Sequence, residues 1–477
     1  MINRSGSRWE GFKEMLSHNS QDHILLFMEQ LNQEEQKTLL GQLDGIDLSF
    51  LRREILRLRR PVADGGGFRP ASCTLLPSSQ TEENSWERAY RIGEDALRRG
   101  ELAVVTIAGG QEARFGTVNS KGFIPITPVR GKPIFQLFAE RILASEARYG
   151  VTIPWLILAG PENKRETENF FLERNFFGLK EVHIFSQGQL PLLDRDGKLI
   201  LSTRTTIATH PDGDGGLPLA LNSHSLFTTL SRLGAVHLSC HRVDNPLALP
   251  IDPYFIGFHL LTQSQASCRC VRKAYVGERI GVFANAGHKL HMINSTDLPP
   301  ECASALDVSN RPRFGQANVS IYLFEIAFLK HFFRQAPENR HRNLPLHAVM
   351  RKVPFLNAAG HLVLPTEPNA FKMEHFLSDL LPFAERTLLL EGRRDEIFSP
   401  VKNQMGLDSP ETSRRDQVRL FANWLAMGRV DMLRDESGAP PFSIEIAPSF
   451  ANSVREFLAK WARLERRPAV VENFYLE

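Results

Sequence analysis

Between Leu102 and Gly122 an apolar, β-branched run (Leu102, Val104, Val105, Ile107) ends abruptly in Gly109-Gly110, and Arg114, Gly116 and Lys121 follow within a few residues. Paired glycines let backbone N–H groups approach phosphate oxygens with no Cβ in the way, while Arg and Lys supply the countercharge. A buried strand opening into a glycine-rich loop is where open α/β sheets bind ligands, outside the carboxyl ends of their strands. Neither common nucleotide loop fits the spacing. A Walker loop requires G-x-x-x-x-G-K-[ST], whereas Gly116 is followed by Thr117. The dinucleotide fingerprint opens directly into a helix, whereas Pro125 and Pro128 keep the chain irregular here. The competing reading at this point is a tight turn after a buried strand.

Four further clusters carry groups suited to phosphate chemistry. Pro211-Asp212-Gly213-Asp214-Gly215-Gly216 precedes an apolar helical pattern, so a loop backbone there could approach a ligand. Val243-Asp244-Asn245-Pro246 follows the strand-like run Val236–Cys240, and a carboxylate at a strand's C-terminal end is well placed to hold Mg²⁺ beside phosphates. Glu367-Pro368-Asn369-Ala370-Phe371-Lys372-Met373-Glu374 and Phe398-Ser399-Pro400-Val401-Lys402-Asn403 each place a lysine near a turn. Taken singly, each reads as an ordinary turn or a solvated lysine.

The elements that must position these groups follow from periodicity. Residues 1–60 are helical throughout, with Ile24, Phe27, Met28, Leu31 and Leu39, Leu40, Leu43 at helical spacing. Residues 61–85, rich in Gly, Pro and Ser, form a connector, and Ser85 is the expected cap of a helix from Trp86 to Gly100. From 101 to about 385, strand-like runs (Leu102–Ala108, Trp155–Ala159, Val182–Phe185, Ala235–Ser239, Tyr254–Leu260) alternate with helical segments (Ile134–Tyr149, Asn163–Asn175, Leu219–Arg232). Such alternation argues for a mainly parallel sheet with helices on both faces. Asp194-Arg195-Asp196-Gly197-Lys198 signals a hairpin and an antiparallel addition. The expected domains are a helical segment and connector (1–85), a central α/β domain (86–404) and a small C-terminal α+β domain (405–477). That last part contains a helix at Gln417–Met427, and its arginines (Arg455, Arg463, Arg466, Arg467) are expected on a solvated helix face.

Composition bounds the function. With 57 basic and 54 acidic residues the net charge of +3 does not suggest a nucleic acid or anionic membrane partner, and no apolar run approaches transmembrane length. Five cysteines, an odd number scattered over 477 residues, make no disulfide framework and place the chain in a reducing, cytoplasmic compartment. His237, Cys240 and His241 match no structural zinc spacing, so buried His and Cys is the expectation.

Read in order, AGGQEARFG, SKG, QGQLP, PDGDGG, VDNP, EPNAFKME and FSPVKN resemble the eukaryotic-type UDP-sugar pyrophosphorylase family, and within it the UDP-N-acetylhexosamine pyrophosphorylases. The resemblance covers nearly the whole chain. It implies a Rossmann-like, GT-A-like nucleotidyltransferase fold, a mixed sheet flanked by helices. It also implies a reaction in which UTP and a sugar 1-phosphate give UDP-sugar and pyrophosphate with Mg²⁺. On the same resemblance Arg114, Lys121 and Lys402 are the catalytic cations and Asp244 the metal ligand. Gly109, Gly110, Gln187 and Gly213 form the nucleotide pocket, and Asp214, Asn318 and Phe376 contact the sugar, for which N-acetylglucosamine 1-phosphate is the expected form. Lys121 is expected as an exposed loop residue.

The chain departs from the family pattern at four ligand-facing positions. Glu112 stands where the family has glycine, Ala113 where it has threonine, Asp214 where it has asparagine, and Arg272 where a glutamate binds sugar hydroxyls. A carboxylate beside a triphosphate repels it, and Asp can only accept where Asn also donates. Three readings therefore stand at this stage: an N-acetylglucosamine enzyme, a UDP-glucose or broad-specificity enzyme, and a uridine-nucleotide-binding homologue with weak or no activity.

Overall fold

The structure is a computed structural model describing residues 3–58, 67–109, 120–334, 344–436 and 438–477. Gly110, Glu112, Ala113 and Arg114 lie outside the described residues. The chain divides into two compact units: residues 1–64, 187–216 and 336–379 form the first, and 65–186, 217–335 and 380–477 the second. These units cut across the expected boundaries at 85 and 404, because the first is assembled from three separated stretches of chain.

The second unit is built on a ten-stranded sheet. Leu102–Ala108, buried along its whole length, lies parallel to Trp155–Ala159 on one side and His237–Arg242 on the other, and Val182–Ser186 extends the parallel part. The long strand Gln316–Glu325 then runs antiparallel to His237–Arg242 and to Ala266–Arg272, and the hairpin Val282–Ala286/Lys289–Ile293 is antiparallel too. The sheet is thus mixed rather than mainly parallel. Ile134–Tyr149, stopped by the left-handed Gly150, packs Ile134, Phe135, Phe138 and Ile142 into the same core as Val104, Trp155 and Ile157.

Tyr254–Leu260 is a helix, Pro253–Leu261, and not a strand. A short, wholly apolar run has no period to distinguish the two, but Asp252 accepts the N–H of Tyr254 and Pro253 occupies the first turn, so the local signal favours a helix start. This helix crosses Gln80–Arg98 at contact distance. A Cβ on Gly93 would overlap the carbonyl of Pro253, and one on Gly257 that of Ala89, so both glycines are required. The helix expected from Trp86 begins earlier, at Gln80, because Ser79 rather than Ser85 caps it by accepting the N–H of Glu82. The segment Leu219–Arg232 is two helices, Leu217–Ser223 and Leu226–Arg232, broken at Ser225 with φ +57°.

Residues 410–477 contribute the helices Pro410–Met427 and Val454–Trp461 and the parallel pair Ile444–Ile446/Phe474–Leu476. Trp424, Leu425, Phe457 and Trp461 fill their core. Arg455 is not simply solvated: its guanidinium reaches Glu87 at 2.7 Å and Tyr254 Oη at 3.2 Å.

In the first unit the helices Asn3–His18, Gln33–Asp44 and Leu48–Leu58 share one core with Leu190, Leu193, Leu199 and Met373. Gln21 and Gln42 tie them to the hairpin region through Gly197 O and Thr205 O, each at 2.9 Å. The antiparallel addition expected near Asp194 is present as Leu193–Asp194 beside Ala370–Glu374, itself paired with His347–Arg351. No helix among the described residues is long and apolar enough to cross a membrane.

Candidate active site

In the second unit the carboxyl ends of the parallel strands gather three of the expected residues. Gly109 follows Leu102–Ala108 directly. Lys121 opens a short 3-10 turn whose start is fixed by Ser120 Oγ accepting the N–H of Gly122. The lysine is 9% exposed, not the exposed loop residue expected, and its Nζ lies 3.7 Å from Oδ2 of Asp244, which is 8% exposed. Burial alone would raise the Asp244 pKa, but Arg242, Lys121 and Lys402 outweigh it and hold the carboxyl below its ordinary value. Arg242, two residues upstream, was not expected; its guanidinium stands 3.5 Å from the same carboxylate. Its i, i+2 spacing to Asp244 at the end of the strand His237–Arg242 was the available signal.

Lys402 reaches the cluster through a clamp. The N–H of Val401 donates to Asp244 O at 2.6 Å. Asn245 Nδ2 donates to Ile397 O at 2.8 Å, while its Oδ1 accepts the N–H of Ser399 at 3.0 Å. Arg141, half-buried in the neighbouring helix, donates to Pro246 O and Ala248 O at 2.7 and 2.8 Å. Burial brings its pKa down to about 10, which leaves it charged at neutral pH. The Val-Asp-Asn-Pro turn is therefore fixed from both sides. The Lys402 Nζ is 3.0 Å from Asp408. Asn245→Ala removes two hydrogen bonds and leaves a buried carbonyl and amide unpaired, a loss of about 2–4 kcal/mol. We expect a lower Tm together with a lower kcat, because the Lys402 turn loses its anchor; calorimetry and steady-state kinetics on one preparation read both.

Asn318 spends its amide locally: Nδ2 donates to Tyr322 Oη and Oδ1 accepts the N–H of Ser320, both at 2.8 Å. Arg272 pairs with Glu391 at 3.1 Å across adjacent strands, which gives it a structural partner. Among the described residues no group of three or more His, Cys, Asp or Glu could hold a metal ion, and the buried His241 has its Nε2 3.0 Å from Thr106 Oγ1.

The first unit carries the other expected residues. Gln187 is buried, and its Oε1 has no hydrogen-bond partner among the described residues. Gly213 has φ +89°, and a Cβ there would overlap the carbonyl of His375, so only glycine fits. Asp214 Oδ1 accepts the N–H of Leu377 at 2.8 Å, next to Phe376. An acceptor is what that contact needs, so aspartate serves it as well as asparagine would. Lys372, absent from the expected set, lies 2.6 Å from Glu374, whose Cβ borders Gly213. Asp212 is fully buried, and among the described residues no other residue bonds its carboxyl oxygens. Burial first, and then the charges of Asp214 and Glu374, push its pKa up to about 7 against a lowering by its own backbone amide.

The buried Lys121 and the more exposed Arg242 and Lys402 around an ionised carboxylate at the ends of parallel strands can neutralise a polyphosphate; they offer no nucleophile or general base. The comparisons agree with that chemistry. The family model described as UTP–glucose-1-phosphate uridylyltransferase matches residues 78–409. The chain is 32% identical to UDP-N-acetylglucosamine diphosphorylase 2 of Arabidopsis thaliana, covering 88% of this chain and 86% of that one. It is 30% identical to the UDP-N-acetylglucosamine pyrophosphorylase of Saccharomyces cerevisiae, over 87% and 90% of the two chains. In fold it is similar to the crystal structure of the uridine diphosphate N-acetylglucosamine pyrophosphorylase from Trypanosoma brucei in complex with inhibitor, with a TM-score of 0.77, 24% identity and 98% of each chain covered.

Proposed function

The chain belongs to the UTP–glucose-1-phosphate uridylyltransferase family, and from that premise we propose that it makes UDP-N-acetylglucosamine and pyrophosphate from UTP and N-acetylglucosamine 1-phosphate. The observation that carries the reading is the buried Lys121–Asp244 pair, with Lys402 held beside it by the Asn245 clamp.

An oxygen of the sugar phosphate, already ionised at pH 7, attacks the α-phosphorus of UTP. The new P–O bond forms as the bond to the β-phosphate oxygen breaks, and pyrophosphate leaves with the electron pair. No general base is needed. The barrier falls through in-line positioning and charge neutralisation. Lys121 would neutralise the triphosphate, together with Arg114 from the glycine loop, and Lys402 the sugar phosphate. Gln187, whose buried Oε1 has no hydrogen-bond partner among the described residues, would read the uracil edge beside the backbone of Gly213; the resemblance separately assigns Gly109 and Gly110 to the nucleotide. The family resemblance assigns Asn318, and separately Phe376 and Asp214, to the sugar. Asp244 fits Mg²⁺, which is usually held by one or two carboxylates plus substrate phosphates, because its neighbours keep it ionised. When bound, Mg²⁺ would neutralise charge on the phosphate oxygens.

The test is pyrophosphate release from UTP with Mg²⁺ and a panel of sugar 1-phosphates. We expect release to be fastest with N-acetylglucosamine 1-phosphate and to be abolished by chelation. Faster release with glucose 1-phosphate would reassign the sugar. UTP binding without release from any member of the panel would favour the non-catalytic reading that Glu112 raises.

A further inference from the structure

Phe376 is held by an arrangement that a simple pocket wall does not require. The imidazole of His347 stacks on its ring, with centroids 4.2 Å apart and planes inclined by 19°. The Nε2 of that imidazole lies 2.9 Å from Oδ2 of Asp379, and the same oxygen accepts the N–H of Phe376, also at 2.9 Å. One residue further, the N–H of Leu377 donates to Asp214 at 2.8 Å. The Asp379 side chain is 9% exposed, so its two bonds are made largely out of water. His347 itself starts the strand His347–Arg351, opposite Glu374 in the register, which fixes the imidazole's origin. The ring face, the backbone at Phe376 and the backbone at Leu377 are thus each restrained, and by three different side chains.

We propose that His347 and Asp379 are positioning residues that set sugar selectivity by bracing Phe376, with Asp214 anchoring the adjacent amide. The proposal rests on the uridylyltransferase reading and on Phe376 bounding the sugar's 2-substituent. The physical reason is the steepness of van der Waals attraction: a gap of 0.5–1 Å already forfeits a quarter to a half of the contact energy. A ring free to turn would make that contact only part of the time, with an acetamido group or with a hydroxyl alike. A ring held on one face and at its backbone makes it every time, and favours the larger substituent that reaches the wall.

Wild-type enzyme is assayed first; if it transfers uridylyl to no sugar 1-phosphate, the functional reading fails and the brace is a separate question of structure. With active wild type, His347→Ala should raise the KM for N-acetylglucosamine 1-phosphate by roughly three- to tenfold, the worth of one aromatic stack. It should lower the kcat/KM preference over glucose 1-phosphate by about the same factor and leave the KM for UTP within about twofold. Asp379→Ala, which frees both the imidazole and the amide, should lose more. His347→Phe keeps a stacking ring and should recover most of the preference. Unchanged preference in both alanine variants overturns the proposal. So does an equal rise in the KM of both substrates with a falling Tm, which marks a merely structural role.

Discussion

Lys121→Ala is expected to lower kcat for uridylyl transfer by about 10²–10³, the usual cost of removing one preorganised charge from a developing phosphoryl anion. Two observations make this the largest catalytic effect. The ammonium is nearly buried, so water screens it little, and it stands 3.7 Å from Asp244 at the carboxyl ends of the parallel strands. The same burial predicts a second consequence that a solvated lysine would not show. Removing Lys121 leaves the Asp244 carboxylate with one cation fewer in a poorly solvated place, and stability should fall by about 1–3 kcal/mol. Rate at saturating substrate, circular dichroism and Tm should therefore be measured together. A large loss of kcat with a modest fall in Tm fits the assignment; turnover near that of the wild type would exclude Lys121 from the chemistry.

Asp212→Asn is expected to stabilise the protein at pH 8 and to do nothing at pH 4. The carboxyl is fully buried with no bond to another residue among the described ones, and its pKa is about 7 in the folded state against 3.8 ordinarily. The folded state therefore retains a proton between about pH 4 and pH 7 that the unfolded chain has already lost. Stability from this group is complete below pH 4 and is lost as pH rises through 7, when the buried carboxylate ionises. Three pKa units correspond to about 4 kcal/mol, an order-of-magnitude figure. The Asn side chain is similar in shape and cannot ionise. The difference in unfolding free energy between the two proteins, measured from pH 4 to 8, cancels every other titration and should grow over that window. A flat difference would mean that Asp212 is solvated or paired. The side chain also explains two glycines: a Cβ on Gly188 or Gly216 would overlap its carboxyl.

Much of this protein was determined by its sequence alone. Leu102–Ala108, Trp155–Ala159 and the helix Ile134–Tyr149 lie where their residues predict, because β-branched buried runs and a helix stopped by a left-handed glycine are local in origin. The order of the candidate motifs was legible too, and with it the family. Tertiary structure decided what depends on partners distant in sequence. Tyr254–Leu260 is apolar on every side and could serve as strand or helix; its N-terminal cap and its packing on Gln80–Arg98 made it a helix. Lys121 reads as a solvated loop cation until Asp244, 123 residues on, is found beside it. Asn245 reads as part of a turn until its amide meets Ile397 and Ser399, more than 150 residues away. The first unit takes its core from three stretches of chain, of which only the first is marked by a composition shift, at the connector. Local sequence fixes backbone preference and periodicity, but the burial of a charge is a property of what folds against it. For that reason the sequence identified the ionisable groups, and only the fold decided which of them are desolvated and paired.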